Sequence, residues 1–363
     1  MNWNSGFTAN YYLTVVDPAS WRDLETIDIT GGVINKTTES LMESGSVDLT
    51  ENVGEKWVRL YLDARQDDGG GRTALFTGLV QCPENQWNGN MQSCSGELYS
   101  VLKAVDDVLL PRGWYALRGQ NGAQLAANLL SMGVAPVEYE NNAPELSNNI
   151  IAEDGETALT MARRLVDAIG WRIRINGHGD IKVCPKKSDP VIRLDPQLND
   201  IVEPSITDKK DLFSCPNVFR ATSGDLSAEA RDEETIRARG REVQAGKNNV
   251  ALNTGESIQQ YADRMLAELQ APARTVKYTR QYQPDIVPGD VVELNFPAQK
   301  ISGLFQIAKQ KISIGYGAPV DEEVTGIVTR EAETGIKQYG IITDLSELFE
   351  TSDNEIIIGV KNV

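Results

Sequence analysis

Histidine is almost missing from this 363-residue sequence: His178 is the only one. It stands in Asn176-Gly177-His178-Gly179, between two segments of alternating character. Asn-Gly in that setting is hairpin-turn chemistry, so His178 is expected as an exposed turn residue rather than a general base. With it set aside, the Ser-His, Cys-His and multi-histidine metal arrangements have no histidine to use. Cysteine is scarce too. Cys82, Cys94, Cys184 and Cys215 form no C-x-x-C pair and three of them precede proline, so reduced thiols are expected rather than a zinc site. Nowhere do 18 apolar residues run together, and MNWNSGFTAN lacks the basic and apolar regions of a signal peptide. A soluble, unexported chain with no membrane segment is the expectation. Positive charge is the scarcer sign, 35 basic against 52 acidic side chains, for a net −17. Proteins that hold phosphate backbones usually carry a basic face, so nucleic-acid binding is disfavoured.

What is present is an ordinary globular mix, 40% apolar and 24% charged, on a length that suggests two or three domains. Short apolar or alternating runs fill the first hundred residues: Tyr11 to Val16, Glu25 to Thr30, Gly45 to Thr50, Trp57 to Leu62 and Leu75 to Val80. Closely spaced strands of that kind imply an antiparallel barrel or sandwich. Helices follow. Gln124 to Met132 aligns Leu125, Leu129 and Leu130 before Gly133. Gly155 to Ile169 aligns Ala158, Ala162, Leu165, Val166 and Ile169, with Asp154 as a candidate N-cap and Gly170 as the stop. Trp171 to Ile175 and Asp180 to Val183 then make the hairpin around His178.

A second β-rich region opens at Asn217-Val218-Phe219-Arg220. The charged, apolar-poor stretch Ser223 to Asn249 reads as a long loop with at most a short helix. Glu256 to Leu269 reads as a helix, with Thr254 or a neighbour as cap, and strands return at Thr275 to Gln281, Asp290 to Phe296, Phe305 to Ile314 and Glu323 to Arg330. The fold class expected is α+β, mainly β: two antiparallel barrel- or sandwich-like domains with a small helical section between them. The boundaries fall at 1–105, 106–215, 216–330 and an acidic tail, 331–363.

Three patterns imitate chemistry. Gly240 to Lys247 spaces its glycines wrongly for a phosphate loop and has Asn248 where Ser or Thr would hold magnesium. Asp67-Asp68-Gly69-Gly70-Gly71-Arg72 lacks the further acids of a calcium loop and reads as a hairpin tip. Asp106-Asp107 and Glu322-Glu323 are adjacent acids, whereas glycosidic carboxylates converge from two sides of a bond. No catalytic, cofactor-binding or metal residue is assigned.

The order of elements, together with Gly155-Glu156-Thr157-Ala158, Ala168-Ile169-Gly170-Trp171-Arg172-Ile173, Gly179-Asp180-Ile181, Ala230-Arg231-Asp232-Glu233, Arg239-Gly240-Arg241-Glu242, Tyr261-Ala262-Asp263-Arg264 and Pro288-Gly289-Asp290-Val291-Val292, resembles the baseplate hub proteins of phage tails and related contractile injection machines. The resemblance covers most of residues 8 to 330; the tail after 330 matches none of its motifs. It implies a non-enzymatic structural protein without cofactor, a homotrimer whose paired β domains mimic the sixfold tail tube above and receive a spike or tip below. Its partners would be the tube or a distal tube-initiator protein, the spike and other baseplate proteins. DNA would pass through without being bound. The place implied is the virion tail baseplate, assembled in the bacterial host cytoplasm.

Charge agrees with that reading. Residues 1–110 carry 16 acids and 7 bases, 111–330 carry 29 and 26, and 331–363 carry 7 and 2. Like charge on a bore wall repels phosphates, so Asp67, Asp68 and Glu97 are candidates to face a lumen. In the tail, Ile356, Ile357, Ile358 and Val360 form a β-prone run suited to docking on a sheet edge. Two other classes compete. A glycan-binding tail-tip module would use some of the six tryptophans and eleven tyrosines, although Trp57 and Trp171 fall inside strand patterns. A cell-wall or capsule hydrolase would need a separate catalytic fold, for which no stretch is long enough.

Overall fold

The structure, a computed structural model, describes residues 3, 6–39, 41–67, 69–88, 91–195, 205–210, 213–223, 226–248, 250, 257–270, 274–315, 317–331 and 335–339. Eight strands come first: β1 (Thr8–Val16), β2 (Asp23–Ile27), β3 (Ile29–Thr37), β4 (Glu43–Leu49), β5 (Glu55–Gln66), β6 (Gly69–Gln81), β7 (Gln86–Asn88) and β8 (Met91–Ser100). Period-two alternation sends Leu13, Leu60, Leu62 and Leu98 into one buried cluster with Ile34, Val47 and Phe76. The run Glu25 to Thr30, expected as one strand, divides at Asp28. β2 pairs with β1, whereas β3 lies between β4 and a strand some 270 residues later in the chain.

The middle section holds α1 (Lys103–Asp106), β9 (Tyr115–Ala116), α2 (Gly122–Leu130), β10 (Val137–Tyr139), β11 (Ile150–Ile151), α3 (Ala158–Ala168), β12 (Trp171–Ile175) and β13 (Ile181–Pro185). α3 buries Ala158, Leu159, Met161, Ala162, Leu165 and Val166, and Gly170, at φ 69, ends it. Its cap is Thr157, not Asp154. Gly155 turns the chain at φ 79, and Thr157 Oγ1 then accepts from the Thr160 N–H at 3.1 Å while donating to Asp106 at 3.0 Å. Thr157→Ala is expected to lower stability by about 1 kcal/mol, read as a shift of the urea midpoint. An unchanged midpoint with Asp154→Ala destabilising would reinstate the earlier cap.

Next come β14 (Pro190–Leu194) and β15 (Thr207–Lys210), followed by a lobe with a core of its own: β16 (Val218–Ser223), β17 (Leu226–Arg231), α4 (Glu233–Arg239), β18 (Gln244–Lys247) and α5 (Ile258–Gln270). Ser223 to Asn249 is therefore no long loop, since its described residues form strand, helix and strand. The inward positions of β17 are alanines, Ala228 and Ala230, which carry little hydrophobic signal, and α4 buries none of its residues. The burial of the β17 alanines comes from α5, which lays Tyr261, Ala262 and Leu266 over the sheet. Ser257 caps α5 by accepting from the Gln260 N–H; Thr254, the expected cap, lies outside the described residues.

The chain ends in β19 (Arg274–Gln281), β20 (Val291–Phe296), β21 (Ile301–Ile314), β22 (Pro319–Glu331) and β23 (Gly335–Tyr339). Lys210 faces Arg274 across the β15–β19 pair, so the lobe leaves and rejoins this sheet at neighbouring positions. The early and late strands belong to one sheet, ordered β15-β19-β22-β21-β3-β4-β8-β6-β5-β1-β2. It is open and almost wholly antiparallel, not a closed barrel; β14 against β20 is its parallel pair. The chain is mainly β with helices segregated to the middle section and the lobe, as the α+β class anticipates.

Candidate functional site

Where the early and late strands meet, one row of side chains crosses the sheet. Glu43 on β4 faces Lys36 on β3, Lys36 faces Gln310 on β21, Gln310 faces Glu322 on β22, and Glu322 faces Tyr278 on β19. Directly paired residues share a face, so five polar groups form a line, all of them buried. The bonds run along it. Lys36 Nζ is 2.7 Å from Glu43 Oε1, Gln310 Nε2 donates to Glu322 Oε1 at 2.7 Å, and the Tyr278 hydroxyl donates to Glu322 Oε2 at 2.7 Å. Arg280, 1% exposed, adds a 2.6 Å bond to Glu322 Oε1. Apolar side chains on either side belong to different cores: Ile312, Val320 and Tyr282 to that of the early strands, Ile307, Val324 and Val276 to that of the late ones.

Burial sets the electrostatics of this row. It raises the Glu43 carboxyl, against the pull of Lys36, and pushes Tyr278 well above the usual phenol range, with the Glu322 charge adding to the shift. For Arg280, burial opposes the charge, yet the Glu322 carboxylate outweighs it and the guanidinium stays protonated. Tyr282 is pushed up to about 12 by burial. An unfolded phenol ionises near pH ~10, so this group's contribution is complete below that pH and is lost as pH rises through the folded value. Stability should fall by about 1.4 kcal/mol per pH unit in that window on account of Tyr282. Thermal melts on the alkaline side should therefore be less steep in pH for Tyr282→Phe than for the parent, and equal slopes would contradict the assignment.

The β12–β13 hairpin ties the middle section to both sides of this row. At its tip, the Gly177 carbonyl accepts from Thr77 Oγ1 at 2.8 Å, and the His178 carbonyl accepts from Trp21 Nε1 at 3.0 Å and from Arg59 Nη2 at 3.2 Å. Gly177 lies so close to β6 that a Cβ there would sit 1.7 Å from the Ala74 oxygen. At the base of the hairpin, Arg172 Nη2 is 2.5 Å from Asp290 Oδ1 and Arg174 Nη2 is 3.5 Å from Asp290 Oδ2. Asp290, 3% exposed, belongs to the Pro288-Gly289-Asp290 turn that starts β20. Three parts of the chain thus lock at one hairpin.

The residues singled out in the sequence are placed as follows. His178 is exposed at the hairpin tip, where its backbone carbonyl accepts from Trp21 and Arg59 and its ring packs edge-on against Tyr61. The four cysteines are free and buried. Asp67 is exposed at the β5–β6 turn and Glu97 is exposed on β8, where it accepts from the Tyr99 hydroxyl at 2.5 Å; Asp68 lies outside the described residues. Glu97 faces Gln81, the last residue of β6, while Asp67 precedes the first, so a strand length of roughly 40 Å separates them. Ile356, Ile357, Ile358 and Val360 also lie outside the described residues. Glu322 is buried in the row while Glu323 pairs outward with Lys277, and Asp107 pairs with Lys103, so neither acidic doublet converges. Trp171 is buried and Trp57 half-buried against the middle core. Among the described residues, no group of three His, Cys, Asp or Glu could hold a metal, and no helix is long and apolar enough to cross a membrane. The polar row itself escaped sequence reading, because its members are 7, 12, 44 and 274 positions apart and only strand register brings them together.

No protein-family model matches the chain, and no curated protein matches it either. Solved structures do. The tail protein from Neisseria meningitidis MC58 superposes at TM-score 0.65 with 14% identity, over 88% of this chain and 96% of that one. The 43 kDa tail protein of prophage MuSo2 from Shewanella oneidensis gives 0.65 and 13% over the same shares. A chain of the Francisella PdpA-VgrG complex gives 0.55 and 6%, over 92% of this chain and 58% of that one. The likeness read from the order of elements holds in three dimensions: along nearly its whole length, this chain has the fold of phage tail proteins.

Proposed function

We propose that the chain is the structural hub of a phage tail baseplate or a phage-tail-like particle, a trimeric ring that adapts the sixfold tail tube to a threefold spike or tip. The observation that carries this reading is the superposition on two tail proteins over 96% of their length, which leaves little in either without a counterpart here. In this reading 1–105 and 216–330 are the paired tube-like domains, 106–215 the section between them, and 331–363 a docking tail. The continuous sheet across β3 and β21 suits a part that must keep two tube-like faces in fixed relation under load. The partners are a second and third copy, the tube or its distal initiator, the spike and neighbouring baseplate proteins. The role is mechanical rather than catalytic, DNA passes without binding, and the protein reaches the virion after assembly in the host cytoplasm.

Asp67, Asp68 and Glu97 are then candidates for the bore wall, Asp67 and Glu97 at two levels of it, and Ile356, Ile357, Ile358 and Val360 for a strand added to a subunit edge. Electron microscopy of tails carrying a density tag on this chain tests the placement: the tag should lie at the end of the tube next to the spike, and a tag along the tube or on a fibre would contradict it. Ending the chain after Arg330 should leave the melting transition in place while weakening entry into tails several-fold. Unchanged incorporation would remove the docking role of the tail.

A further inference from the structure

Between the hairpin tip, β6 and the end of the polar row lies a cavity of about 260 Å³, with Arg72 and Arg174 on its wall together with Lys36, His178 and Asp285. Its cations hold hydrogen-bond donors in reserve. Lys36 is taken by Glu43. The Arg72 guanidinium stacks 3.8 Å from the Tyr61 ring centroid and 5.0 Å from that of Tyr12; its carboxylate neighbour is Asp23 at 3.7 Å, and it makes no side-chain hydrogen bond to a described residue. Arg174 gives Nη2 to the Asp285 carbonyl at 2.5 Å, and its Nε is buried with no partner among the described residues. The apolar part of the lining comes from Tyr282, Ile286, Val287 and Ile312.

We propose that this cavity binds a small organic oxyanion, a carboxylate or phosphate monoester with a short apolar body. The oxyanion would accept from the guanidinium groups of Arg72 and Arg174, with His178 also on the lining, since charge-assisted bonds to guanidinium are the strongest this wall can offer. The body lies against Tyr282 and Ile312. The Asp285 carboxylate, which makes no hydrogen bond or salt bridge to a described residue, sits on the same wall and limits the guest to a single anionic group. The pocket goes beyond the hub reading and is tested apart from it, because binding is measured on the chain alone.

Isothermal titration calorimetry with inorganic phosphate, phenyl phosphate and benzoate, backed by thermal melting, decides the matter. The expected result is saturable binding of one ligand per chain, tighter for the two probes with a ring than for phosphate; whichever of the two binds better names the oxyanion. Arg72→Gln should weaken it about tenfold or more, the worth of one charge-assisted hydrogen bond. Exposed Arg112→Gln should leave it unchanged. Asp285→Asn should tighten it, by removing a like charge from the wall, and this variant carries the test if Arg72→Gln does not fold. No saturable heat with any probe at millimolar concentration, or equal affinity in the parent, Arg72→Gln and Asp285→Asn proteins, overturns the proposal.

Discussion

Glu322→Ala should destabilise the protein by about 3–5 kcal/mol, the usual consequence of removing one partner from a buried ion pair. The reason lies in what remains. Arg280 and Glu322 are 2% or less exposed, and Glu322 accepts from Arg280, Gln310 and Tyr278 at once. Without the carboxylate, the buried guanidinium loses its counter-charge and keeps the Gln281 carbonyl, Gln310 keeps the Ile286 carbonyl, the Tyr278 hydroxyl loses its acceptor, and Arg280 already has one Nε without a partner among the described residues. Glu322→Gln keeps the shape and one acceptor oxygen and should cost less. The double variant Arg280→Met with Glu322→Leu removes both charges and should recover much of the loss. Chemical denaturation of the four proteins checks this: similar midpoints for Glu322→Ala and the parent would show that the row contributes nothing to the joint between early and late strands.

Gly177→Val should loosen the three-part junction by about 3 kcal/mol or more, from overpacking together with the hydrogen bonds that the displaced tip gives up. The obstacle to a side chain here is backbone, the Ala74 carbonyl, which has no rotamer by which to move aside. Pushing the tip away takes the Gly177 and His178 carbonyls from Thr77, Trp21 and Arg59. Arg59 is 4% exposed and would keep Thr77 and Asp23 as partners, so the loss should be local rather than global. Hydrogen exchange should quicken in β12, β13 and the middle of β6. The lobe built on Phe219, Tyr261 and Leu266 has its own core and should keep the parent's rates. A Gly177→Val protein with parental exchange at the hairpin would mean that the tip is packed there without being held.

Sequence and structure agree most closely where local pattern and tertiary burial say the same thing. α3 is legible because Ala158, Ala162, Leu165 and Val166 repeat at helical spacing and all face one core. Asn176-Gly177 is legible as a turn from its chemistry alone. β17 and α4 were hidden because alanines line one and the other buries none of its residues, and the burial of β17 depends on α5 arriving from later in the chain. The polar row was hidden for a related reason. Lys36 and Glu322 fall outside the strands expected from the sequence and Gln310 falls inside Phe305 to Ile314, and only the pairing of β3 with β21 turns them inward together. Gly177 showed its turn but not its closest neighbour, which belongs to a strand a hundred residues earlier. Long-range register, the information a single sequence carries least openly, is thus where the joint between the β parts is specified.

The hub proposed above is a ring of three. Native mass spectrometry of the purified chain, alone and mixed with its tube and spike neighbours, measures it directly. The account predicts a species of three chains, formed alone or on addition of either neighbour; a chain that stays monomeric in every mixture would contradict it.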